Sequence, residues 1–83
     1  SRDEDNTLSE EEVKKGATIG RVEMRIAGQM RRVPRKIMRD PDDPESFVLA
    51  RRNADTGQLE PVLRRGARRT VGRGSDGFWR LAG

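Results

Sequence analysis

The sequence has no cysteine, histidine or tyrosine, and its only aromatics are Phe47, Phe78 and Trp79. Without cysteine there is no disulfide and no thiolate zinc site. Without histidine the chain lacks the commonest transition-metal ligand and the commonest general base. Apolar residues are scarce too. Leu, Ile, Val and Phe together number 16 of 83, at the border below which highly charged chains stay disordered. A chain of this length buries only about 60% of the surface its unfolded form exposes. Small cores of this kind usually need a staple, and with disulfides and thiolate metal sites excluded the remaining staple is association with a partner. No apolar run approaches the roughly 20 residues of a membrane-spanning helix, and the first residues do not read as a signal peptide. The expectation is a single soluble domain of cytoplasmic synthesis, with no membrane and no cofactor.

Charge is what the chain has in plenty, and it is segregated. Residues 1–12 carry six acids against Arg2, a net of −5; residues 13–83 carry 17 Lys and Arg against eight acids, a net of +9. Arginine outnumbers lysine 15 to 3. Its planar guanidinium suits bidentate contacts with phosphate or carboxylate, although GC-rich coding raises the same ratio with no binding role. The sequence divides into an acidic arm with a short helix (1–17) and a basic β domain ending in an Arg/Gly-rich segment (18–83).

The first six residues read as a disordered acidic tail. In "TLSEEEVKKG", Ser9 and Glu12 form a capping box, and Leu8 and Val13 are placed for a hydrophobic staple. Glutamates begin this helix, Lys14 and Lys15 end it, and Gly16 stops it. At two turns it is too short to persist alone, so Leu8 and Val13 are its expected docking residues.

From Thr18 the pattern alternates. Val22, Met24 and Ile26 share one face of a strand, and Arg21, Glu23 and Arg25 share the other. Gly28-Gln29 reads as a two-residue turn, Pro34 as the mark of an edge or bulge, and "RDPDDPES" as a loop. "SFVLARRNADTGQLEPVLRRG" reads as a bulged hairpin about Gly57, with Leu49 opposite Leu63, Ala50 opposite Val62 and Arg52 opposite Glu60. Pro61 suggests another edge. "FWRLAG" reads as a short strand burying Trp79 or Leu81. The fold expected is mainly β: a small open sheet or SH3-like barrel of four to five short strands, with the short N-terminal helix and acidic arm.

Motifs for chemistry are weak. Gly72, Gly74 and Gly77 match G-x-G-x-x-G in letters, but that motif must open a helix inside a βαβ unit, and the residues after it read as a strand. Asp40, Asp42 and Asp43 lack calcium-loop spacing and are broken by proline. Glu10, Glu11 and Glu12 fan around a helix instead of pairing across a cleft. With no nucleophile–base pair, no metal site and no catalytic residue is assigned, and the expectation is a protein that is not an enzyme.

The candidate partner-binding residues are Arg64, Arg65, Arg68, Arg69 and Arg73 with Phe78 and Trp79, since Arg and aromatics dominate interface hot spots. The arginines alone could grip phosphates. Single-strand binders, however, stack bases on several aromatics, and few are present. The favoured expectation is a structural or accessory subunit of a large multi-protein or nucleoprotein particle, touching protein neighbours. A capsid-associated protein incorporated into a virion is one form. The alternative is a free basic module that binds nucleic acid or the transcription machinery.

Overall fold

The computed structural model describes residues 6–82. Arg2, Asp3, Glu4 and Asp5, the charged part of the expected acidic tail, lie outside the described residues. The chain is mainly β. Among the described residues one short helix, α1 (Glu10–Lys14), precedes eight strands: β1 (Thr18–Ile26), β2 (Gln29–Asp40), β3 (Asp43–Arg52), β4 (Leu59–Pro61), β5 (Leu63–Arg64), β6 (Ala67–Arg68), β7 (Thr70–Arg73) and β8 (Trp79–Leu81).

Helix α1 has the ends its residues dictate. The Glu12 backbone N–H donates to Ser9 Oγ at 3.1 Å, and the Ser9 N–H donates to Glu12 Oε1 at 2.9 Å. At the other end the Ala17 N–H donates to the Glu12 carbonyl and the Gly16 N–H to the Val13 carbonyl. This Schellman closure needs the left-handed φ of +101° that Gly16 adopts.

The sheet is ordered β2-β1-β8-β7-β3-β4, and β2 also pairs with β3. Pairing therefore runs β1–β2–β3–β7–β8 and returns to β1 through a parallel contact of Val22 with Trp79 and Glu23 with Arg80. Val22, Ile37, Leu49, Val71 and Trp79 fill the core, with Met24, Phe47, Val62 and Leu81 packed against them. The β1 alternation is as expected, with Val22 fully buried and Met24 on the core side. Val48 and Ala50, alternating with Leu49, are also buried, so β3 is covered on both faces at its middle.

Four local expectations are corrected. The β1–β2 turn is Ala27-Gly28, with φ of +51° and +80°, not Gly28-Gln29; Ile26 pairs with Gln29. Two successive positive φ values make the primed turn whose twist matches the strands, and this outweighs the cost of a left-handed alanine.

"RDPDDPES" is not a long loop. β2 and β3 continue to a two-residue turn at Pro41-Asp42, where the Asp42 N–H donates to Asp40 Oδ1 and Ser46 Oγ donates to Asp43 Oδ2. The aspartates brace the corner locally, so the prolines do not force the strands apart. The hairpin about Gly57 slips by one residue: Ala50 faces Pro61, Arg51 faces Glu60 and Arg52 faces Leu59. Asn53 is the cause. Its side-chain carbonyl accepts from the Asp55 and Thr56 N–H groups, and its backbone N–H donates to the Gln58 carbonyl. This closes a loop of four residues, 54–57, where the Arg52–Glu60 register implies one of three. The fourth correction lies in the basic segment, where residues 63–68 form a separate two-stranded hairpin, β5–β6.

The prolines sit where a missing N–H is tolerated. β3 reaches β2 only from Lys36 onward, so Pro34 has β1 alone as neighbour, and Pro61 lies on edge strand β4.

Candidate functional site

The basic hairpin is built by a turn that needs two left-handed residues. Arg65 and Gly66 take φ of +53° and +79°, reversing the chain between Arg64 and Ala67. At its base the Arg69 N–H donates to the Val62 carbonyl, while the Leu49 N–H donates to the Arg69 carbonyl and the Val62 N–H to the Leu49 carbonyl. The hairpin thus grows out of β3 as an outward arm. Residues 63–68 are all exposed, and Leu63 shows 61% of its surface.

Arg68 sets the arm's direction. One of its terminal nitrogens donates to Asp40 Oδ1 at 2.7 Å and to Asp42 Oδ2 at 2.6 Å, across to the β2–β3 turn. The two carboxylates, Asp42 foremost, push the Arg68 pKa above its ordinary value. The remaining arginines divide by partner. Arg32 and Arg80 share Glu23, Arg80 also grips Asp76, Arg51 meets Glu60, and Arg52 meets Glu12. Six acids are engaged in this way. Arg64, Arg65, Arg69 and Arg73 make no ion pair among the described residues. Arg64, Arg65, Arg68 and Arg69 line one side of a cleft of about 440 Å³ closed by Thr70 and Leu81. Arg73, at the far end of β7, lines a different groove.

The two expected aromatic anchors are used within the chain. Trp79 is only 8% exposed and stands edge-on to Phe47, with ring centroids 5.4 Å apart. Phe78 is half-buried beneath the Arg32 guanidinium, 4.0 Å from the ring centre. Burial of Trp79 was legible as one option for the last strand. It leaves little of the indole on the surface.

Docking of α1 is polar where an apolar contact was expected. Leu8 is half-buried but Val13 is 53% exposed. Arg52 holds the helix, donating to both Glu12 oxygens at 2.7 and 3.0 Å, to the Thr7 carbonyl at 3.0 Å and to the Gly57 carbonyl at 2.9 Å. The Arg52 bonds, with the Ser9 N–H, hold the Glu12 carboxyl at about 2, well below its ordinary 4.5. Sequence reasoning missed this pair because its members lie 40 positions apart. The one available signal was an arginine predicted to face Glu60 beside a turn.

Among the described residues no cluster of side chains could hold a metal ion, and no helix is long and apolar enough to cross a membrane. Compared with known proteins, the chain matches no family model, no curated protein and no solved structure.

Proposed function

We propose that this chain is a non-enzymatic structural or accessory subunit of a large multi-protein or nucleoprotein particle, and that the β5–β6 arm is its gripping element. A capsid-associated protein, made in the cytoplasm and incorporated into a virion, is one form of this reading. The ring of paired strands is read as a small SH3-like barrel with an acidic N-terminal arm, a scaffold for presenting the hairpin.

The observation that carries the proposal is the arm itself. Arg64 and Arg65 stand out from the barrel without intramolecular acids, while Arg68 is spent on fixing the arm's direction. A guanidinium held on a braced hairpin loses less freedom on binding than one on a loose tail. It therefore suits a clamp onto acidic neighbours. The binding role falls on the arginines, and the indole of Trp79 belongs to the scaffold. The lack of histidine and cysteine supports a role without chemistry.

A second reading, a basic module for nucleic acid, is favoured by the cleft, where four arginines converge and the nearest acids, Asp40 and Asp42, are already engaged by Arg68. Titration of the full chain with polyglutamate and with duplex DNA at two salt concentrations separates the two. Duplex binding that falls with a log–log slope of about −0.9 per phosphate neutralised, and exceeds polyglutamate binding at physiological salt, selects the second reading. Comparable weak duplex binding that vanishes on adding salt, beside persistent polyglutamate binding, supports the first.

A further inference from the structure

A second surface lies away from the arginine arm. β1 pairs with β2 along its whole length, but with β8 only at Val22 and Glu23. Among the described residues, no strand lies beside residues 18–21 on that side. Backbone groups alternate across an antiparallel ladder. The tight Ile26–Gln29 closure fixes the phase, so Thr18 and Gly20 direct their N–H and C=O groups toward β2. Ile19 directs both of its groups, and Arg21 its N–H, into the open side.

That open side is a groove of about 690 Å³ between the start of β1 and the β7–β8 loop. Phe47, Phe78, Trp79 and Gly77 line it together with Ile19, which is about one-third exposed. The site where a Gly20 side chain would stand is taken by the indole: a methyl there would lie 2.5 Å from the Trp79 ring. The indole thus covers Gly20, and the backbone edge left beside the groove is that of Ile19 and Arg21. The charged rim is positive in effect. Arg21 donates only to the Arg32 carbonyl, and Arg73 has no ion pair among the described residues. Asp76, the one lining acid, is gripped by both terminal nitrogens of Arg80 at 2.9 and 3.1 Å.

We infer that this groove binds an extended acidic segment of another protein, which adds to β1 as a strand. Its backbone would pair with Ile19 and Arg21, one apolar side chain would rest on Phe47 and Phe78, and its carboxylates would meet Arg21 and Arg73. Free backbone groups supply affinity in this mode, pockets for alternate side chains supply specificity, and the rim charge selects sign. The inference is independent of the role given to the arginine arm.

The test is titration of the isotope-labelled full chain, followed by amide NMR, with a short capped peptide alternating glutamate and valine and with its lysine–valine counterpart. The expected result is shifts at the Ile19 and Arg21 amides and the Trp79 indole N–H, with the acidic peptide bound about tenfold or more tighter than the lysine one. Ile19→Pro removes the outward N–H but no bond to β2 and should cost about tenfold in affinity. Arg73→Glu, an exposed change that leaves the core alone, should abolish the preference for the acidic peptide, and it stands as the test if the proline variant does not fold. Equal binding of the two peptides, shifts confined to residues 64–69, or no binding at millimolar peptide would overturn the inference.

Discussion

Replacement of Trp79 by alanine tests whether the indole belongs to this chain's core or to a partner's surface. The structure makes it a keystone. Trp79 pairs with Val22 of β1 on one side and Arg73 of β7 on the other, so it lies where the last strand joins the first. Its ring stands edge-on to Phe47 and covers Gly20. Truncation of a buried Trp typically costs about 3–5 kcal/mol, and loss of the edge-on aromatic contact adds about 0.5–1.5 kcal/mol. A domain of this size has about 4–12 kcal/mol of stability in all. Trp79→Ala should therefore remove more than a quarter of it, and at the lower bound of stability should unfold the isolated chain. Urea denaturation followed by far-ultraviolet circular dichroism measures this with no partner present. Trp79→Phe, which keeps a ring against Phe47, should lose distinctly less. An unfolding free energy for Trp79→Ala within about 0.5 kcal/mol of the parent, the range of ordinary surface substitutions, would refute the core assignment and return Trp79 to the role of exposed anchor.

Other perturbations read other joints. Gly20→Ala drives a methyl to within 2.5 Å of the indole and 2.8 Å of Ile37 Cδ1, and should destabilise by about 1–3 kcal/mol in the same assay. Arg52→Ala removes the bonds that hold α1. Hydrogen bonds to charged groups are worth about 1.5–3 kcal/mol, discounted here toward about 1–2 for partial exposure. Hydrogen exchange should accelerate in residues 10–14 and not in β1–β3. Acid should act through the same link. The folded pKa of Glu12, about 2, lies below its ordinary 4.5, so its stabilisation is complete above about 4.5 and is lost as pH falls through about 2. Protection of α1 should decline over that window in the parent and show no such step in Glu12→Gln.

Local chemistry was legible in the sequence and long-range pairing was not. The capping box at Ser9 and Glu12, the alternating face of β1 and the left-handed Gly57 are set by neighbours within a few positions, and each appears as read. Errors arose where two local signals competed. Pro41 and Pro44 argued for a loop, yet the aspartate side chains brace a tight corner between two long strands. Gly57 suggested a three-residue loop, yet Asn53 closed a four-residue one and moved Arg51, not Arg52, opposite Glu60. That slip freed Arg52 for Glu12. The parallel β1–β8 contact and the β3–β7 pairing join segments far apart in the chain, and no short window encodes them. In the basic segment, adjacent arginines on a strand face opposite ways unless a turn intervenes. The Arg65-Gly66 turn does intervene, and the arm follows from it.

The proposed role of the β5–β6 arm is to grip an acidic neighbour in a large particle. Its most direct test is sedimentation of the tagged full chain, and of an Arg64→Glu/Arg65→Glu variant with unchanged circular dichroism, in lysates of the source cells. The parent should travel with a heavy particle at physiological salt and after nuclease treatment. The charge-reversed chain should remain near the top of the gradient, at the position of a 9.4 kDa monomer. A parent that sediments as a free monomer, or a variant that travels with the particle as the parent does, would contradict it.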